Sequence, residues 1–256
     1  MYKILANTLF LGKDIHFLPD CHSTNDIALQ ALRQKEAYEG SIFITNHQTR
    51  GKGQRGNSWE TKPGENLTFS IVLQPQFLDL SEQFLLNMAI SNAIRQGMQE
   101  YIPQLNVKWP NDLLVDGRKL AGILSVAGPI KQMMTDIDSY AAPDFVVVGL
   151  GLNVGWAPDG AVCLQEFATA NVSRDAVLAA LLVELDQLLE LSPTQLHERY
   201  RAKLSTLQRA VRIELPSGEF VEGRAMDVEV DGRLVVLDSC GITQRLDVGD
   251  IIHLRS

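Results

Sequence analysis

Between two strand-like runs, Ser41–Asn46 and Leu67–Leu73, lies a long segment from His47 to Asn66 with glycine at 51, 53, 56 and 64, proline at 63 and few apolar side chains. Structureless connections beyond about 12–15 residues are uncommon in compact domains and usually carry a function. Within this segment Gly51-x-Gly53-x-x-Gly56 fits the dinucleotide fingerprint, which works where it opens a helix whose N-terminus faces a pyrophosphate. Pro63 and Gly64 follow soon after Gly56 with no helical pattern between, so that reading fails on context. What remains is a glycine loop with Arg50, Lys52, Arg55 and Lys62 against Glu60, a local charge of +3 in a chain of net −8. Closely spaced amides and cations make an anion cradle; the alternative is a solvated basic loop.

Around this loop the pattern is one of short strands and a few helices. Ile15–Leu18 reads as a strand, and Ser23-Thr24-Asn25-Asp26 as the N-cap of a helix running to about Ala37 and ended by Gly40. Apolar residues at helical spacing predict one long helix over Ser81–Tyr101. Asp116-Gly117 is a hairpin signal between Leu113–Val115 and Leu120–Leu124, followed by a strand over Phe145–Leu152. A helical pair is expected at Ser173–Leu191 and Thr194–Leu204, with Ser173 and Ser192-Pro193 as start signals. The sheet is thus assembled from hairpins rather than from regular strand–helix alternation. From about Gln208 the pattern changes to short strands with turns at Ser217-Gly218, Asp231-Gly232 and Cys240-Gly241, which suggests a small antiparallel barrel and a domain boundary near Leu207.

Three further clusters carry chemistry. In Lys108-Trp109-Pro110-Asn111-Asp112 a lysine ends an apolar strand before a rigid step that is awkward for packing. Lysine is almost never fully buried unless paired, so Lys108 either meets an anion or sits at a surface strand end, with Asp112 its partner or the start of the next hairpin. Gly149-Leu150-Gly151-Leu152-Asn153-Val154 lets backbone or ligand approach closely, or else is a glycine bulge in a core strand. Ser23-Thr24-Asn25 either caps a helix or binds a small polar ligand.

Composition narrows the field. With 256 residues, 45% apolar and 21% charged, the chain can bury a full core without staples and is not a disordered or fibrous sequence. No apolar run approaches the roughly 20 residues of a membrane-spanning helix, and the N-terminus lacks the apolar stretch of a secretory signal. Cys21, Cys163 and Cys240 are isolated, which fits reduced thiols in a cytoplasmic protein, and the scattered histidines offer no zinc-site spacing. The acidic balance argues against non-specific binding to nucleic acid.

Taken together and in order, these segments resemble the biotin protein ligases, in the form without an N-terminal DNA-binding domain. The likeness rests on Ser23-Thr24-Asn25, Gln48 leading into Gly51–Trp59, Lys108–Asp112, Lys119-Leu120-Ala121-Gly122-Ile123-Leu124 and Gly149–Val154, and extends over residues 15–256. It implies an α+β core like that of class II aminoacyl-tRNA synthetases, a mixed sheet with flanking helices over residues 1–207, and an SH3-like barrel over 208–256. It also implies a reaction. Biotin and ATP give biotinyl-5′-AMP and pyrophosphate, with Mg²⁺ arriving on the ATP, and the biotinyl group passes to one lysine of a carboxylase carrier domain. By the same resemblance Lys108 and Arg55 are the catalytic cations, Lys108 at the biotin carboxylate and α-phosphate. Lys52 and Arg55, with the amides of Gly51, Gly53 and Gln54, would hold phosphates. Ser23, Thr24, Asn25 and Gln48 would surround the biotin rings, Gly122 would bring backbone to the ligand, Trp59 would pack beneath the loop, and Asn111 and Asn153 would face the nucleotide. No protein-held metal is expected. A homodimer is compatible with the family. Only 22 residues precede Ser23, too few for a helix-turn-helix module, so no DNA binding is expected.

The sequence departs from the family in two places. The family loop commonly reads Gly-Arg-Gly-Arg-x-Gly-Arg-x-Trp, whereas Lys52, Gln54 and Asn57 replace its three arginines here. After Gly122-Ile123-Leu124 the usual glutamate is absent, and Ser125-Val126 stands there. A lipoate–protein ligase would use a related core, but a dithiolane tail wants apolar walls rather than Ser23, Thr24, Asn25 and Gln48. A non-catalytic biotin-binding protein is the reading that the thinned arginine loop allows and the retained Lys108 cluster opposes.

Overall fold

The computed structural model of the protein describes residues 7–74, 83–128, 145–247 and 250–253. Its main sheet has seven strands: β1 (Ile15–Cys21), β2 (Ile42–Gln48), β3 (Leu67–Leu73), β4 (Asn106–Lys108), β5 (Asp112–Val115), β6 (Arg118–Gly128) and β7 (Phe145–Leu152). They lie in the order β1-β2-β3-β7-β6-β5-β4, with β1 parallel to β2 and every other pair antiparallel. Helix α1 (Thr24–Gln34) covers one face, and α2 (Phe84–Gly97), α3 (Arg174–Leu188) and α4 (Pro193–Arg201) form a layer on the other.

Strand alternation decides which side chain goes where, because successive residues point to opposite faces. On β7, Val146, Val148, Leu150 and Leu152 enter the core shared with α2 and α3, while Phe145 and Val147 pack toward α1 with Ala28 and Leu32. Leu67, Phe69 and Ile71 of β3 do the same on the core face, each at most 2% exposed. Full burial of such side chains contributes about 1.5–3 kcal/mol each.

Strands β3 and β7 have the bounds that the sequence pattern predicts, and Asp116 (φ 49°) with Gly117 (φ 78°) makes the β5–β6 hairpin turn. Ser173 and Ser192 cap α3 and α4. Several helices are shorter than expected. Helix α1 stops at Gln34, where Lys35 adopts a left-handed conformation and its N–H returns to the Ala31 and Leu32 carbonyls. Gly40 serves β2 instead, since a Cβ there would lie 2.7 Å from the Phe10 carbonyl oxygen. Helix α2 begins at Phe84, residues 81–82 of the expected span lying outside the described residues, and gives way to turns after Gly97. Helices α3 and α4 end at Leu188 and Arg201, three residues short of their expected ends at Leu191 and Leu204.

The C-terminal strands β8 (Ala210–Glu214), β9 (Phe220–Val228), β10 (Leu234–Leu237), β11 (Thr243–Leu246) and β12 (Asp250–His253) form an antiparallel sheet in the order β11-β10-β9-β8-β12. Val211, Ile213, Ala225 and Val236 belong to the same continuous apolar cluster as the main sheet. No helix among the described residues is long and apolar enough to cross a membrane.

Candidate active site

Register builds the site. On the α1 side one row of paired residues runs across six strands: Lys108, Asp112, Gly122, Gly151, Thr68 and Thr45. The neighbouring row is Leu124, Gly149, Ser70 and Phe43. Glycine at 122, 149 and 151 leaves the middle strands without side chains, and the vacated space is filled from above. A Cβ on Gly149 would lie 2.4 Å from Asn25 Oδ1, and one on Gly151 only 2.2 Å from the Trp59 ring. These glycines are therefore demanded by close approach, and the reading of them as a core bulge gives way.

The glycine loop folds back over this floor. Lys52 and Ser58 bridge as a short antiparallel pair, Gly53 N–H donates to Asn57 O at 2.7 Å, and residues Gln54–Gly56 make one 3₁₀ turn. Trp59 N–H donates to Gly51 O at 3.0 Å, and a Cβ on Gly51 would collide with the Trp59 carbonyl oxygen. The long loop is thus a small hairpin with Trp59 as its foot. Of Arg55 the backbone lies in the 3₁₀ turn, and its side chain lies outside the described residues.

The α1 entrance supplies a buried polar chain. Ser23 Oγ accepts from Asp26 N–H, so Ser23 is a helix cap that also lines the cleft. Thr24 donates through its backbone N–H to Gln48 Oε1 at 2.7 Å, with Thr24 Oγ1 3.1 Å from the same oxygen. Ser70 Oγ lies 2.7 Å from Thr24 Oγ1 and 2.6 Å from Asn25 Oδ1, and Asn25 Nδ2 donates to the Leu124 carbonyl at 3.0 Å. The Leu124 carbonyl fixes the Asn25 amide with its oxygen toward Ser70, so the single Ser70 proton goes to Asn25 and the Ser70 oxygen is left to accept. Both ends of Asn25 are satisfied within the protein, whereas no described residue engages Gln48 Nε2.

The cations are distributed unevenly. Lys119 Nζ pairs with Asp112 at 2.6 Å and stands 5.7 Å from the Trp59 ring centroid. Lys52 Nζ is held by both oxygens of Asp26, at 2.7 and 2.9 Å. Lys108 lines the cleft half-buried and has no carboxylate partner among the described residues, so Asp112 serves Lys119 instead. An ammonium in that position favours an incoming anion.

Behind Lys108 the segment is anchored rather than awkward. Trp109 is 1% exposed and donates through Nε1 to Gly232 O at 2.8 Å, while Tyr200 Oη donates to Pro110 O at 2.9 Å. Burial, with the Asp112 charge second, pushes the Tyr200 hydroxyl well above its ordinary range, so it stays a donor. Asn111 Nδ2 donates to the Ile123 carbonyl at the cleft edge.

One cleft brings together Ser23, Thr24, Asn25, Gln48, Lys52, Gly53, Gln54, Trp59, Lys108, Asn111 and Gly122 of the expected set. Gly51 sets the foot of the loop. Asn153 stands apart: it is 1% exposed, and its Nδ2 donates to the Val162 carbonyl at 3.1 Å. The sequence reading gave no role to Lys119, Thr68 or Ser70, all of which form or support the cleft. The signal for the two hydroxyls was the alternation Leu67-Thr68-Phe69-Ser70-Ile71, apolar on one face and hydroxyl on the other. Among the described residues no group of three or more His, Cys, Asp or Glu is placed to hold a metal ion.

Residues 18–133 match the Biotin/lipoate A/B protein ligase family. The chain is 33% identical over 245 residues to the biotin–[acetyl-CoA-carboxylase] ligase of Mycobacterium tuberculosis, covering 91% of this chain and 86% of that one. It is 30% identical to the bifunctional ligase/repressor BirA of Escherichia coli, over 96% of this chain and 75% of that protein. Its fold is that of a biotin protein ligase from Aquifex aeolicus solved with biotin and ATP, at a TM-score of 0.75 and 22% identity, covering 95% of this chain and all of that one.

Proposed function

The chain belongs to the biotin–[acetyl-CoA-carboxylase] ligases of the biotin/lipoate A/B protein ligase family, and on that premise we propose how its cleft performs their reaction. The protein is an ATP-dependent ligase that activates biotin to biotinyl-5′-AMP and transfers the biotinyl group to a carboxylase carrier domain. The observation that carries the assignment of residues is the single cross-strand row that sets Lys108 and Asp112 beside a glycine floor roofed by Trp59, with Lys119 drawn to it through its ion pair with Asp112.

Adenylation forms a bond between a biotin carboxylate oxygen and the α-phosphorus of ATP and breaks the bond to pyrophosphate. Two anions about 4 Å apart repel by about 4 kcal/mol at an effective dielectric of 20, and a cation fixed between them offsets this and the charge that builds up in the transition state. Lys108, free of any described carboxylate, takes that place, and Lys119, held by Asp112, is a second cation at the same wall. Lys52 exchanges Asp26 for phosphate, and Arg55 and the Gln54 amide complete the anion cradle, the Gly53 N–H being held by the Asn57 carbonyl. Mg²⁺ enters with ATP on its phosphate oxygens. Ser23, Thr24, Asn25 and Gln48 surround the biotin rings, with Gln48 Nε2 the free donor. Asn111 faces the nucleotide. Asn153 reaches it only if its bond to Val162 is given up.

The finer architecture follows the same reading. Residues 1–207 are a catalytic domain related to class II aminoacyl-tRNA synthetases, and 208–256 an SH3-like barrel whose Gly232 carbonyl braces Trp109. The acceptor is a biotin carboxyl carrier domain, the protein acts in the cytoplasm, and a homodimer is compatible with the family. ATP–pyrophosphate exchange with biotin, lipoate, octanoate or no acid tests the assignment. Exchange with biotin alone is expected; exchange with lipoate alone would move the protein to the sister activity, and biotin binding without exchange would make it a binding protein.

A further inference from the structure

Two buried polar groups of the cleft have no hydrogen-bond partner among the described residues. Thr68 is 4% exposed and lines the cleft, yet its hydroxyl makes no hydrogen bond with any described residue. The Trp59 indole N–H is likewise buried and without a partner among the described residues. They flank the same glycine: Thr68 is the cross-strand partner of Gly151, and Trp59 Nε1 lies 2.6 Å from where a Gly151 Cβ would stand. Buried polar groups without partners are rare and costly, and each such group in a folded protein calls for a reason. Packing does not supply one for Thr68, since valine would fill nearly the same volume without an orphaned hydroxyl. The neighbouring polar groups do not need these two: Asn25 is bonded at both ends, and Gln48 Oε1 is engaged by Thr24.

We infer that the Thr68 hydroxyl and the Trp59 indole N–H together form a subsite for a hydrogen-bond acceptor of the bound acid's ring system, making Thr68 a specificity-determining residue of the cleft. An indole N–H only donates, so the atom that completes the pair must accept; the hydroxyl donates to the same atom. The inference rests on the reading that biotin occupies this cleft.

The test is isothermal titration of biotin into the wild type and into Thr68→Val, with thermal unfolding of both proteins without ligand. Biotin Kd is expected to rise about 3- to 10-fold in the variant, the scale of one neutral hydrogen bond, while Tm stays level or rises because an unsatisfied hydroxyl is gone. Unchanged affinity with a lowered Tm would show a hydroxyl satisfied by internal water and would overturn the inference. Trp59→Phe keeps an aromatic ring and removes the donor, and its loss should be less than additive with Thr68→Val if both groups meet one acceptor. Strict additivity would overturn the shared subsite. Wild-type protein that binds no biotin would instead remove the functional reading on which the subsite depends.

Discussion

The two faces of the main sheet are built from the same strands and put to opposite uses. On the α2 and α3 side, Leu67, Phe69, Ile71, Val146, Val148, Leu150 and Leu152 make a closed apolar layer. One residue along, the α1 side carries Thr68, Ser70, Gly149 and Gly151, a surface of small and hydroxylic groups with a lysine at its end. The strand period of two lets a single segment such as Leu67–Leu73 contribute a fully packed side and a receptive side at once. The packed face anchors the strands that carry the floor. The other face carries the Thr68 hydroxyl, and the Trp59 indole N–H lies over it, neither with a partner among the described residues.

If that division is right, substitutions on neighbouring residues of one strand should separate stability from activity. The largest effect is expected for Phe69→Ala, since this ring is 1% exposed on the packed face. It should lose about 3–5 kcal/mol of unfolding free energy in a denaturant titration, while the folded fraction keeps its biotin affinity within about twofold. A large affinity loss in the folded fraction would mean that the two faces are not independent. Lys108→Ala should do the reverse. Pyrophosphate exchange should slow by about 10²–10³, the scale of losing one charge partner in the transition state, with the denaturation midpoint unmoved. Retained exchange would take Lys108 out of the mechanism and leave Lys119 as the principal cation.

Legibility in the sequence followed the same division. Strands β3 and β7 could be bounded to the residue because Leu67–Leu73 begins with strict alternation and Phe145–Leu152 is a short run rich in valine, patterns that fit a strand and are too short for a core helix. The site motifs were legible where glycine, lysine or tryptophan broke the pattern, and register brought most of them into one cleft. Thr68 and Ser70 were not, because a threonine or serine within a strand looks the same whether it faces solvent, a helix or a ligand. Only the pairing with Gly149 and Gly151 shows which face they serve. The Lys35 cap went unread because the left-handed position is ordinarily given to glycine, and Gly40 was the nearest one. Asp112 could be read in sequence as the partner of Lys108 or as the start of the next hairpin; it lies directly across from Lys108, yet its ion pair goes to Lys119, whose own cross-strand partner is Leu114, so side-chain geometry decides the pairing.

The smallest effect concerns the rim rather than the floor. Gln54 is exposed at the cleft mouth, where the family loop commonly carries arginine, and its neighbour Lys52 is drawn aside onto Asp26. On the proposed reading the loop would offer an adenylate fewer forked donors than the family pattern supplies, and a lysine or amide cannot replace the paired N–H groups of a guanidinium on a phosphate. Gln54→Arg should slow escape of biotinyl-5′-AMP about fivefold, roughly 1 kcal/mol at a solvent-exposed position, with little change in the exchange rate or in stability. Release of labelled adenylate from preloaded protein measures this directly. A slower release would place retention at the loop and the chemistry at the strand row. An unchanged rate would mean that the floor alone, through Lys108, Lys119 and Trp59, holds the intermediate, and that the loop's lost arginines cost the protein nothing in retention.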